Sequence, residues 1–159
     1  MRITILSVGK LKEKYLNDAV SEYKKRLSRY CKLEIIEVTD EKSPEQAREK
    51  EELQIREKEG ERLLGHIRED AYVITLEMGG NELTSEQFAK KIETLGVKGN
   101  SHVYFVIGGS IGLGENIRRR SNYPLSFSKM TYPHQLMRVI LLEQLYRGYR
   151  IVRGEPYHK

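Results

Sequence analysis

His102-Val103-Tyr104-Phe105-Val106-Ile107 runs without a break into Gly108-Gly109-Ser110-Ile111-Gly112-Leu113-Gly114. The first six residues are almost all β-branched or aromatic and read as a buried strand. The glycine-rich stretch after it suits either a structural loop with positive φ values or a strand end where backbone passes close to a ligand. Upstream, Arg2 to Val8, Leu33 to Val38 and Ala71 to Leu76 have the same apolar character, and Pro124 to Ser128 is short and strand-like. Helical patterns lie between them. Leu16, Ala19, Val20, Tyr23 and Leu27 recur at helical spacing, as do Phe88, Ile92 and Leu95 behind a capping box at Thr84 to Gln87. Ser43-Pro44-Glu45-Gln46 carries a second such box and predicts a long, charged helix starting there, with Leu53, Gly60, Leu64 and Ile67 facing inward. Gly79-Gly80-Asn81 closes the third strand.

Strands alternating with helices at this pitch imply an α/β layer fold with a mostly parallel sheet flanked by helices, in one domain. Ligands of such sheets sit beyond the carboxyl ends of the strands, which points to the segments after Leu76, Ile107 and Ser128. A last helix is expected from Pro133 or His134 to about Tyr149. Its apolar residues, Leu136 to Leu145 with Tyr146 and Tyr149, cover more than one stripe. Either it is central to the monomer or one side meets a second subunit, and a dimer is the favoured reading.

The chain has 159 residues, 28 Lys+Arg and 23 Asp+Glu. Residues 118 to 159 hold nine of those cations and only two of the acids, so all of the excess positive charge lies in the last quarter. Such a segment attracts phosphate if it forms one face, and otherwise serves solubility. One cysteine, Cys31, excludes an intrachain disulfide. No apolar run approaches the roughly 20 residues of a membrane span, and the first residues do not form a signal peptide, so a soluble cytoplasmic protein is expected. The four histidines are scattered and none has metal-ligand spacing, so no metal is expected. Gly112-x-Gly114-x-x-Ile117 lacks the third glycine of the dinucleotide fingerprint. Gly108-x-Ser110-x-Gly112 fits the serine-hydrolase elbow, with Glu143 and His158 following in order, but glycines at 112 and 114 are a poor start for the helix an elbow requires.

Three blocks taken together carry a resemblance. They are Val106 to Ser110 with Gly112-Leu113, then Leu125-Ser126-Phe127-Ser128-Lys129-Met130-Thr131-Tyr132-Pro133-His134-Gln135-Leu136-Met137-Arg138-Val139, then Glu143 to Arg147 with Pro156-Tyr157-His158-Lys159. With Val8-Gly9-Lys10 and Lys58-Glu59-Gly60, the chain resembles the ribosomal RNA large subunit methyltransferase H family of the SPOUT superfamily along its whole length. The resemblance implies an S-adenosyl-L-methionine-dependent methyltransferase acting on N3 of a pseudouridine in 23S ribosomal RNA of the assembled ribosome. It also implies a homodimer and a deep trefoil knot within about residues 70 to 159 of a single 1–159 domain. The cofactor positions it implies are Leu76, Gly108, Phe127, Ser128, Lys129, Met130, Thr131 and Tyr132, at the three strand ends reached above.

Abstraction of the N3 proton calls for a general base or for cations that stabilise the ring anion. Arg153, Tyr157 and His158 lie in a tail with no core pattern and are the candidate catalytic residues, through base stacking and proton acceptance. The alternative for that tail is a frayed end. Arg118, Arg119 and Arg120 are expected to contact RNA phosphate, and Arg138 and Arg147 either the dimer or the RNA. Gly148 stands where alanine is more usual in the family, which questions the straightness of the last helix. The runner-up function is a noncatalytic ribosome-binding module.

Overall fold

The computed structural model describes residues 1–159 apart from positions 43 and 47. Five strands, β1 (Arg2–Val8), β2 (Lys32–Val38), β3 (Tyr72–Glu82), β4 (His102–Ile107) and β5 (Tyr123–Ser126), form a sheet in the order β2-β1-β4-β3-β5. Every pairing in it is parallel. Along β1 and β4, alternate residues point to opposite faces, and both sets are apolar. Ile3, Ile5, Val103, Phe105 and Ile107 enter one core cluster with Leu27, Phe88, Ile92, Leu141, Leu142 and Leu145. That side is covered by α1 (Lys14–Leu27), α3 (Ser85–Val97) and α5 (His134–Val152). Leu6, Val8, Tyr104 and Val106 enter a second cluster with Leu63 and Ile117, beneath α2 (Glu49–Leu64) and α4 (Glu115–Arg120). The result is a three-layer α/β/α arrangement, the layering the sequence predicts.

Three expectations need correction. The helix expected from Ser43-Pro44 begins at Glu49 instead, where Glu49, Glu51 and Glu52 place negative charge in the first turn next to the positive end of the helix dipole. The Ser43 cap itself lies outside the described residues. The inward face of α2 is Glu59, Gly60 and Leu63, while Leu53 is exposed. Gly60 is buried because Asn116 of α4 lies against it, closer than a Cβ would allow, and donates from Nδ2 to the Glu57 carbonyl at 2.9 Å. β3 runs on to Glu82 through Gly79-Gly80, with a register shift against β5 between Leu76 and Asn81. Gly80 permits this, since a Cβ there would lie 3.0 Å from the backbone of Pro124 and Leu125. The arginine triplet lies in a short helix, α4, that follows the glycine loop.

α5 is uninterrupted through Gly148, which is buried against Ala89 of α3. No helix among the described residues is long and apolar enough to cross a membrane.

Candidate active site

Parallel pairing puts all five carboxyl ends on one edge of the sheet, and register fixes who is near whom. Leu76 of β3 pairs with Leu125 of β5, and Thr75 with Val106 of β4. The ends of β3, β4 and β5 are therefore side by side. After β4 the backbone folds back on itself. Gly112, at φ +87°, donates its N–H to the Gly109 carbonyl at 3.1 Å. A Cβ on Gly108 would sit 2.8 Å from the Gly112 carbonyl carbon, so only glycine fits. The loop leads to α4 at Glu115 rather than turning directly into a helix, and Ser110 is exposed on it. The nucleophile elbow of a serine hydrolase is not formed.

On the α3/α5 side of this edge lies a cleft of about 220 Å³. Leu125, Phe127 and Ile140 give it apolar walls, and Thr84, Ser85 and Gln144 a polar one. Two of the expected cofactor residues, Phe127 and Tyr132, line it directly. Phe127 is held edge-on to Phe88, with ring centroids 6.3 Å apart. Ser128 organises the loop between them. Its carbonyl accepts from Ser126 Oγ at 2.9 Å, and its own Oγ accepts from the Met130 N–H at 2.9 Å. Lys129, Met130 and Thr131 project outward, Met130 being 73% exposed. Leu76, at the register shift within β3, and Gly108, directly after β4, do not line the cleft. Thr84, Ser85, Ile140 and Gln144 were not foreseen. The capping box at Thr84 marked the start of α3 but not that this helix N-terminus meets the end of β5.

The tail is docked. Arg150 donates to the Glu155 carboxylate at 2.7 Å and to the Pro156 carbonyl at 2.7 Å. The Arg153 guanidinium lies 4.7 Å from the Tyr30 ring centroid. Tyr157 packs edge-on to Tyr146 and donates to Glu143 Oε1 at 3.2 Å. Burial pushes its phenol up to about 12. His158 lies between Arg147 Nη1, 3.1 Å from its Nδ1, and the Glu86 carboxylate near its Nε2. Arginine only donates, so Nδ1 accepts and Nε2 carries the proton. Gln144 joins this cluster to the cleft, since its Oε1 accepts from Ser85 Oγ at 2.8 Å and its Nε2 donates to Glu143 at 3.0 Å. Tyr157, His158 and Arg147 are thereby brought together with the cleft wall, and Arg153 lies apart on Tyr30.

The arginines expected at RNA divide. Arg138 is 3% exposed, and its guanidinium donates to Glu37 and to the carbonyls of Val8 and Gly9. Its charge is spent inside the fold, so the RNA role expected for it is withdrawn. Arg120 donates to the carbonyls of Arg68, Glu69 and Ala71. Arg118 pairs with Glu77 at 3.0 Å and Arg119 with Glu115 at 3.6 Å, both on the surface.

A family model described as "Predicted SPOUT methyltransferase" matches residues 1–158. The chain belongs to the SPOUT methyltransferases. Among curated relatives, a ribosomal RNA large subunit methyltransferase H from Clostridium tetani is 67% identical over the full length of both chains. One from Bifidobacterium adolescentis is 63% identical, again over all of both chains. The fold is similar to that of a solved structure, a probable methylase family protein from Haemophilus influenzae Rd KW20. It has a TM-score of 0.56 at 14% identity and covers 99% of this chain and 70% of that one. This SPOUT chain is thus a methyltransferase whose glycine loop, β3 end and β5 loop share one edge of the sheet.

Proposed function

We propose that this enzyme transfers a methyl group from S-adenosyl-L-methionine to N3 of a pseudouridine in 23S ribosomal RNA, on the assembled ribosome and as a homodimer. The observation that carries the reading is the cleft between β5, α3 and α5, joined through Gln144 to the Tyr157–His158 tail. The donor set suits the cofactor. Apolar walls at Leu125, Phe127 and Ile140 fit the faces of an adenine, and in this reading the backbone of residues 127 to 132, with Gly108 on the neighbouring loop, hydrogen-bonds its edge. In this reading Phe127, Ser128, Lys129, Met130, Thr131 and Tyr132 hold the cofactor together with Leu76 and Gly108, in a C-terminal trefoil knot within one domain. When bound, the cofactor supplies an electrophilic methyl on a sulfonium.

The chain's own residues then orient and dehydrate the acceptor. Methyl transfer loses charge at the transition state, so alignment and exclusion of water count for more than charge stabilisation. Tyr157 stacks on the base, Arg147 offsets the developing ring anion, joined by Arg153 once it leaves Tyr30, and His158 takes the N3 proton once its Nδ1 leaves Arg147. Arg118 and Arg119 face phosphate. The names of the 67% and 63% identical relatives support ribosomal RNA as the substrate. The apolar surface of α5 around Leu136, 36% exposed, supports a second copy as partner.

Calorimetry with S-adenosyl-L-methionine, followed by mass spectrometry of 23S RNA from cells lacking the gene, tests the reading. Binding and one missing methyl on a pseudouridine are expected. Absence of binding with unchanged RNA would leave the noncatalytic ribosome-binding module.

A further inference from the structure

A second cavity, of about 260 Å³, opens on the α2 side of the same sheet edge, across the Gly108–Leu113 loop from the cofactor cleft. Its volume accommodates part of a larger ligand, such as one base of an RNA chain. Glu59 of α2 forms part of its wall and is 4% exposed. One carboxylate oxygen, Oε2, accepts from the Glu41 N–H at 3.0 Å, while Oε1 is buried with no hydrogen-bond partner among the described residues. A buried unpaired acceptor on a carboxylate is costly in a resting structure, and a ligand N–H would relieve it. The space over it is kept open by Gly109, where a Cβ would lie 3.6 Å from that oxygen and 3.2 Å from Val8 Cγ1.

Donors line the same cavity as this acceptor. The Gln135 amide and the Lys10 ammonium line the same cavity, and Lys12 stands with them; neither lysine is in an ion pair among the described residues. His134 also lines it, its imidazole held below its ordinary range by burial and by Arg138. Asp40 and Glu41 complete the charged wall, Glu41 being paired with Arg62. A cavity that offers both an acceptor and donors can meet the imide edge of a uracil-type ring, which presents an N–H between two carbonyls. Cytosine has a bare acceptor nitrogen in place of that N–H.

We propose that this cavity is a nucleotide pocket that takes the imide edge of a pyrimidine from the substrate RNA onto Glu59, with Lys10 and Lys12 at the phosphate. The proposal rests on the RNA-methylation reading above and adds to it a base-reading site apart from the cofactor cleft. A site built to accept an N–H rejects the analogue that lacks it, because its own polar groups are then left unpaired.

The test uses the full chain, with backbone amide shifts followed on titration with uridine 5′-monophosphate and with cytidine 5′-monophosphate. The uridine nucleotide is expected to move Gly9, Lys10, Gly109 and Ser110, at least tenfold more tightly than the cytidine one. Glu59→Gln, whose amide can present either a donor or an acceptor, is expected to erase that preference. Ser110→Phe, at the exposed rim, is expected to abolish the shifts without unfolding the chain. Equal binding of the two nucleotides, no shift at these residues, or shifts confined to residues 127 to 132 would each overturn the proposal. S-adenosyl-L-methionine is titrated separately. If it moves nothing while the uridine nucleotide still moves the pocket, the methyltransfer reading fails and the pocket stands.

Discussion

The guanidinium of Arg138, on the first turns of α5, lies 2.6 Å from the Glu37 carboxylate near the end of β2. The same side chain donates to the carbonyls of Val8 and Gly9, so one cation ties the last helix to the carboxyl ends of β1 and β2. The same oxygen, Glu37 Oε2, also accepts from the Leu11 N–H at 2.9 Å. Removing the cation strands a carboxylate and two carbonyls. Arg138→Ala is expected to cost about 2–4 kcal/mol, below the upper end for buried pairs because Glu37 is partly solvated. Denaturant unfolding of wild type and variant reads this directly.

The surface arginines should behave differently from one another. Arg118→Glu with Arg119→Glu is expected to lower the salt slope of ribosome binding by up to about 2, one for each phosphate that is no longer neutralised. Arg120→Ala should leave that slope unchanged and lower the melting temperature instead, because it frees the carbonyls of residues 68, 69 and 71. Binding measured across a salt series, beside thermal melts, separates the two outcomes.

Deletion of residues 156 to 159 removes the Tyr157 and His158 interactions with Glu143, Arg147 and Glu86. The core clusters do not include the tail. Methylation should be abolished, with cofactor binding and the dimer retained. Full activity in the truncated protein would release the tail from catalysis.

Glu59 gives a pH dependence whose sign is fixed by its environment. Burial, aided by Asp40, raises its carboxyl above the usual range despite the Glu41 N–H. The folded state therefore holds that proton more tightly than the unfolded chain does. Its contribution to stability is complete below the ordinary carboxylate pKa and is lost as pH rises through the raised value. Glu59→Gln should flatten the fall in stability over that window, and melts at a series of pH values compare the two slopes.

Gly148→Ala is expected to stabilise by about 0.5–1 kcal/mol, since glycine inside a helix is costly and a Cβ there would lie 3.5 Å from Ala89 Cα, an ordinary van der Waals separation. Thermal unfolding with unchanged activity would bear this out.

Much of the architecture was legible because its signals are local. Apolar β-branched runs place β1, β2 and β4, and the Thr84 box places α3 to the residue. The Ser43-Pro44 box resembles that of Thr84, yet α2 starts at Glu49; the acidic first turn at Glu49 to Glu52 shows where the dipole is met. A triplet of arginines offers no sequence signal to tell Arg119 on the surface from Arg120 on three carbonyls, because the partners come from residues 68 to 71, about fifty positions away. Gln144 and Ser85 at the cleft were hidden for the same reason.

By itself the sequence determined the alternation of strands and helices, the concentration of positive charge after residue 117 and the glycines that allow Gly108 and Gly112 to touch. These follow from residue type and spacing, which act within a few positions of the chain. Only the tertiary structure decided that Arg138 is an internal anchor, that Glu59 has an unpartnered oxygen beside a cavity, and that the tail reaches the cleft through Gln144. Each of these depends on which distant groups share a buried space, and burial is what turns an ordinary charged side chain into a strut, a receptor or a relay.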